Sequence, residues 1–262
     1  MHIPVLMYHA LSRSPDKSAY TLREKKFAEQ LAFLHANHFS CPGFEDYMET
    51  VRTGKSNLHK KCVLLTFDDG HESDYTMVLP LLQQYAFRAT FFITTGWIGT
   101  NGYMNKEQLL SLKKSGMSIQ SHAQTHRFLD GLPPDALAQE LSESRDAIEQ
   151  IVHSRVEAIS FPGGRYSRQV IESARAQGYQ ACFCSAPRGV RTSLNMFLIG
   201  RHAMKQSLGM DHFKRILTHD PFFAFSSRAQ YGAAYLIKRA LGNQRYHDFW
   251  KRYLKSSSQK KS

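Results

Sequence analysis

Two stretches of this 262-residue chain combine residue types that could hold a metal and handle a proton. Asp68 and Asp69 directly follow the apolar run Cys62-Val63-Leu64-Leu65-Thr66-Phe67 and precede Gly70. Neighbouring strand residues point opposite ways, so the two carboxylates need not share one task. Together at a buried strand end they would repel unless a cation or an arginine neutralised one of them. His122 and His126 stand four positions apart in Ser121-His122-Ala123-Gln124-Thr125-His126. If the chain turns helically after Ser121, both imidazoles project from one face, an arrangement that suits metal ligands. Two imidazoles and one carboxylate leave coordination positions open, as hydrolytic and Lewis-acid sites require. Taken singly, Asp-Asp-Gly is a plain turn and the histidine pair a solvated helix face. Their convergence is the signal.

The elements that must position these groups alternate. Strand-like runs cover residues 3–8, 62–67, 89–94, 117–121, 156–161, 179–185 and 197–199. Helical spacing covers 24–38, 74–85, 106–114, 135–152 and 168–177, and resumes from His212 onward, through Tyr235, Leu236 and Leu241. Pro80 interrupts the second helix, for which Asp74 is the expected cap. The alternation predicts one α/β domain around a mostly parallel sheet or barrel, whose active site lies past the carboxyl ends of its strands. Those ends carry Tyr8-His9, Asp68 to His71, His122 to His126, Phe161-Pro162-Gly163-Gly164-Arg165 and Gly200-Arg201-His202.

Composition narrows the class. With 42% hydrophobic and 21% charged residues the chain can bury a core. No apolar run reaches the roughly 18 residues of a spanning helix, and the first residues lack the basic and apolar regions of a secretory signal. Four cysteines (Cys41, Cys62, Cys182, Cys184) show no zinc-ribbon spacing, which fits reduced thiols and a cytoplasmic location. The net charge of +12 favours anionic partners, including the inner membrane face, and the basic tail 251–262 reads as a frayed terminus. No phosphate-loop, helix-turn-helix or RNA-recognition pattern appears, so no nucleic acid partner is expected.

Thr66-Phe67-Asp68-Asp69-Gly70 and Ser121-His122-Ala123-Gln124-Thr125-His126 together resemble the T-F-D-D-G and S-H-x-x-x-H motifs of the polysaccharide deacetylases, the NodB-homology group or carbohydrate esterase family 4. Phe161-Pro162-Gly163-Gly164 looks like the family's third motif, and Met7-Tyr8-His9 resembles the start of members working on cell-surface glycans. The resemblance implies a distorted (β/α) barrel of the NodB-homology type over 1–262, with a core from about residue 60 completed by 1–59. It also implies removal of acetyl groups from N-acetylhexosamines in a polysaccharide or lipid-linked glycan precursor. Asp69, His122 and His126 would bind one divalent ion, zinc by default, with cobalt, nickel, manganese or iron also accepted. Asp68 would be the general base toward a bound water whose pKa the metal lowers. The backbone N–H of Gly163 would receive the oxyanion.

Other roles stay open. The third motif lacks the family's arginine. Arg201 is the substitute candidate to steady the base, with Arg165 or Arg188 as alternatives. For the acid that protonates the leaving amine, His202 at a strand end is favoured over His219 in Leu217-Thr218-His219. His9 lines the pocket, binds sugar or is a core histidine satisfied by the backbone, Trp97 and Tyr103 are candidates to stack on sugar rings, and His71 reads as packing or surface. Two further functions remain: hydrolysis of another carbon–nitrogen amide on the same barrel, or a silent basic binding protein.

Overall fold

The computed structural model describes residues 2–16, 18–53, 61–187, 190–191 and 197–218, and beyond them residues 220, 222–223, 225–227, 229 and 231–232. Contacts divide the chain into a unit spanning 1–218, which holds the barrel and its rim, and a second spanning 219–262. Tyr235, Leu236, Leu241, His219, Arg188 and the tail 251–262 lie outside the described residues.

An eight-stranded parallel sheet forms the centre. In chain order its strands are β1 (Val5–Tyr8), β2 (Leu64–Asp69), β3 (Thr90–Ile93), β4 (Ser118–Ser121), β5 (Ala158–Ser160), β6 (Ala181–Cys184), β7 (Ile199–Gly200) and β8 (His202–Ala203). Each of β1 to β6 lies beside its sequence neighbours, β7 lies beside β6, and β8 pairs with β1. The last two are a single bent stretch: Ile199 pairs with Phe183, whereas His202 pairs with Leu6. Five residues therefore join the two sheet edges and close the barrel, with Arg201 at the bend.

Strand parity sorts the side chains. Val5, Leu64, Phe92, Ala158, Ala181, Phe183 and Ile199 form one buried cluster with Phe44, Tyr47 and Met48 of helix α2 (Phe44–Thr53), which plugs the amino-terminal end of the barrel. The opposite parity faces the helices. Tyr8 stacks on Phe67 at 5.1 Å and meets Phe27 of α1 (Glu24–Ala36) edge-on at 5.2 Å, while its hydroxyl donates to Gln30 at 2.9 Å. Burying Phe67 alone is worth about 1.5–3 kcal/mol.

The other helices are α3 (Leu79–Gln84), α4 (Lys106–Lys114), α5 (Pro134–Val152), α6 (Arg168–Ala176) and α7 (Met210–Leu217). Ahead of α3 the turn widens to a π-helix over Asp74–Val78, before Pro80, which has no N–H to donate. Asp74 is no cap. It is buried with neither carboxylate oxygen bonded, and burial together with the charges of Asp69 and Asp68 pushes its pKa well up. Among the described residues, no helix is long and apolar enough to cross a membrane.

Candidate functional site

The carboxyl ends of β2, β4, β5 and the β7–β8 bend converge on one rim. Parity carries the side chain of Asp68 into the barrel, and Asp69 would by the same rule face the helices. It does not, because Asp69 adopts φ +80°, a left-handed turn that swings its carboxylate back over the rim. Two adjacent acids thus reach the same region.

His122 and His126 reach it by a different local route from the helical one. The segment after β4 is irregular, with left-handed residues at Ala123 (φ +64°) and His126 (φ +60°). Glu140 of α5 ties it down: its carboxylate accepts from the backbone N–H of Gln124 at 3.0 Å, from that of Thr125 at 2.9 Å, and from the Thr125 hydroxyl. The two imidazoles end with ring centroids 5.0 Å apart.

Nε2 of both histidines lies 3.3 Å from the same oxygen, Oδ1 of Asp69. That oxygen is buried and has no hydrogen-bond partner, so the three atoms converge without satisfying one another. All three donor atoms fall within 4.8 Å of each other. A buried orphaned carboxylate oxygen between two imidazole nitrogens is what a divalent cation would satisfy, and the donor set suits zinc or its neighbours. Nδ1 of His122 stands 2.8 Å from the Ser160 carbonyl, so Nδ1–H donates there and Nε2 keeps its lone pair for a cation. Burial raises the Asp69 pKa, yet His122, His126 and His71 outweigh it and hold the group far below its usual range.

Asp68 faces another partner. Arg201 Nη1 donates to its Oδ1 and Nη2 to its Oδ2, each at 2.7 Å, and Nη2 also donates to the Ser160 hydroxyl at 2.7 Å. Burial pushes the Asp68 pKa up, but Arg201 and then His122 carry it below the ordinary value, leaving a carboxylate that stays ionised. Arg165 is engaged elsewhere: it donates to Asp130 at 2.7 and 2.9 Å and lies over the Phe128 ring.

The remaining candidates separate. His202 pairs in register with Leu6, on the Tyr8 face that packs against α1, so the alternation that aims Arg201 inward turns its neighbour away from the rim. His9 continues the Val5–Met7 parity and lies at the rim. Its Nδ1 is enclosed without a partner, and its pKa is lowered by burial against the opposing pull of Asp68 and Asp69. Its ring helps line a cavity of about 340 Å³ shared with Tyr20, Asp69 and His71.

Trp97 stacks on His126 at 4.9 Å and Tyr103 on His71 at 5.0 Å, so both aromatics wall the centre. Gly163 and Gly164 take φ +64° and +67°. A Cβ on Gly163 would sit 2.5 Å from the Phe128 ring, so a side chain there would collide with Phe128. Sequence reading missed the Ser160 carbonyl and Glu140. Neither sits in a chemical motif, although Ser160 lies in an expected strand one residue before the third motif.

Comparison with known proteins places this geometry in a family. Residues 55–182 match the model described as Polysaccharide deacetylase. The peptidoglycan-N-acetylglucosamine deacetylase of Bacillus cereus is 30% identical over 62% of this chain and 74% of its own length. The poly-β-1,6-N-acetyl-D-glucosamine N-deacetylase of Staphylococcus epidermidis is 24% identical over 73% of this chain and 70% of its own. Among solved structures, the Streptococcus pyogenes deacetylase PplD in complex with acetate shares the fold at a TM-score of 0.78 and 23% identity, covering 83% of this chain and 98% of that one. Motifs, barrel and relatives agree: the chain belongs to the polysaccharide deacetylase family.

Proposed function

We propose that this chain hydrolyses the N-acetyl group of N-acetylhexosamine units in a polysaccharide or lipid-linked glycan, using one divalent cation held by Asp69 Oδ1, His122 Nε2 and His126 Nε2. The observation that carries this reading is the juxtaposition of that three-atom donor set with an arginine-held carboxylate from the preceding residue. The Bacillus cereus and Staphylococcus epidermidis relatives, named for acetylated glucosamine polymers, support the substrate class.

An amide carbonyl is a poor electrophile, and the cation supplies Lewis acidity toward it and a lower pKa for water at the site. Asp68, ionised and fixed by Arg201, takes the proton of the attacking water on a carboxylate oxygen. The N–H of Gly163 stands as the donor for the developing oxyanion, on a left-handed turn that glycine adopts without strain. We assign proton delivery to the leaving nitrogen to His9 in place of His202. His9 shares the barrel interior with Asp68 and borders the cavity. Trp97 and Tyr103 shield His126 and His71 and offer apolar faces to a sugar ring.

The test is acetate release from oligomers of β-1,4- and β-1,6-linked N-acetylglucosamine by zinc-loaded protein. Asp68→Asn and His9→Ala should each lower kcat by about 10²–10⁴ while zinc content is retained. Undiminished release by Asp68→Asn removes the base assignment, and no release from either polymer by the wild type removes the substrate class.

A further inference from the structure

His71 follows the Asp-Asp-Gly turn, and neither sequence spacing nor the metal reading assigns it a task. Its Nε2 lies 3.4 Å from Asp69 Oδ2, the oxygen that the two metal-facing histidines do not use. Asp69 needs such a holder. Its backbone sits at φ +80° on the last residue of a strand, and a part-turn of its carboxyl about Cβ–Cγ would carry Oδ1 off the line where it meets His122 and His126. His71 is itself fixed. Its ring stacks on Tyr103 at 5.0 Å and 21°, its backbone bridges that of Tyr103, and the flanking bonds Met104 N–H to Gly70 O (3.0 Å) and Glu72 N–H to Gly102 O (2.9 Å) fasten the turn to the 99–104 loop.

We propose that His71 is a positioning residue for the metal centre: it donates from Nε2–H to Asp69 Oδ2 and thereby presents Oδ1 to the cation. The inference rests on the metal reading above. It makes the 99–104 loop part of the site's support, because Tyr103 orients the ring that orients the ligand. Partners that hold a ligand from behind commonly change metal affinity by about 10–100-fold when removed.

The experiment measures zinc affinity of the full chain by competition with a chromogenic chelator. His71→Phe keeps a ring for Tyr103 and loses the donor, whereas His71→Gln keeps an N–H donor and loses the ring. His126→Ala serves as the benchmark for losing a ligand. The expected result is a roughly 10–100-fold weaker affinity for His71→Phe, near-wild-type affinity for His71→Gln, and thermal unfolding of both metal-free variants close to wild type. Equal affinity in His71→Phe and wild type overturns the inference and leaves His71 as packing. Loss in His71→Gln as severe as in His126→Ala also overturns it, since an amide restores the donor but not a ligand nitrogen. If His71→Phe does not fold, His71→Gln still decides by retaining or losing affinity. A wild type that takes up no zinc brings down the metal reading itself, an outcome distinct from wild-type binding that His71→Phe leaves unchanged.

Discussion

Replacing Arg201 by methionine isolates the device that keeps Asp68, the proposed base, ionised. The guanidinium and the Asp68 carboxylate have side-chain exposures of 0% and 3%, and they share two bonds of 2.7 Å, with further bonds from the arginine to Ser160 at 2.7 Å and to Thr66 at 3.2 Å. Methionine fills much of the volume but leaves a buried carboxylate without its cation, for which the usual cost is about 3–5 kcal/mol. For a domain of this size that corresponds to roughly 6–20 °C in Tm.

The pH dependence carries the sharper signature. In the wild type the folded pKa of Asp68 is depressed below its unfolded value of about 3.9. Its stabilisation is therefore present above that value and lost as pH falls through the folded one. Without Arg201, burial dominates and the folded pKa rises above the unfolded one, so the penalty exists at neutral pH and fades as Asp68 takes up a proton. His122, 4.0 Å from Asp68 and with a pKa raised by Asp68 and Asp69 against its burial, works in the same direction by charging as pH falls. Urea unfolding of metal-free protein at pH 7.5 and near pH 4.5 should thus show a deficit that shrinks in acid, and Asp68→Asn with Arg201→Met should recover part of it. A deficit under about 1 kcal/mol at neutral pH, or one independent of pH, would refute the claim that this ion pair holds the base.

Zinc at about a hundredfold excess over its Kd should stabilise the wild type by about 2.7 kcal/mol in calorimetry, and His126→Ala should lose that increment. Gly164→Ala should destabilise by about 2–5 kcal/mol in denaturant unfolding, because φ is +67° and the new Cβ would meet the Ser185 side chain and lie 2.7 Å from its backbone nitrogen. Glu140→Ala, which releases the backbone of Gln124 and Thr125, should cost about 2–3 kcal/mol and weaken zinc binding in chelator competition. Unchanged affinity there would show that the segment between His122 and His126 holds its shape unaided.

The β-strand and helix alternation was legible because parallel strands buried on both faces read as continuous apolar runs, and the flanking helices carry a 3.6-residue period. Helix α2 escaped despite Phe44, Tyr47, Met48 and Val51 standing at helical spacing. It plugs a barrel end rather than flanking a strand pair, so the βα rhythm gives no place for it. The proposed ligands were legible as residue types at strand ends, but the reason His122 and His126 meet was not. Their four-residue spacing suggested a helical turn, whereas two left-handed residues and the Glu140 carboxylate do the shaping, and Glu140 lies on the following helix, outside the motif.

The acid assignment turns on parity. Placing both Arg201 and His202 in the pocket asks two consecutive residues to face the same way, although Ile199 and Ala203, on either side of the Arg201 bend, stay in register with the inward Phe183 and Met7. The chain manages this once, at Asp68 and Asp69, by taking φ +80° at the second residue and spending Gly70 (φ +85°) on the turn that follows. Neither Arg201 nor His202 has a positive φ, and β8 continues in register with β1 through Ala203 and Met7. Once Arg201 grips Asp68 from inside the barrel, His202 must accompany Leu6 outward. The inward position left for an imidazole at the end of β1 belongs to His9, two residues beyond Met7 and four beyond Val5. Counting residues from Val5 and Met7 is therefore what favours His9 over His202 in the proposed acid role.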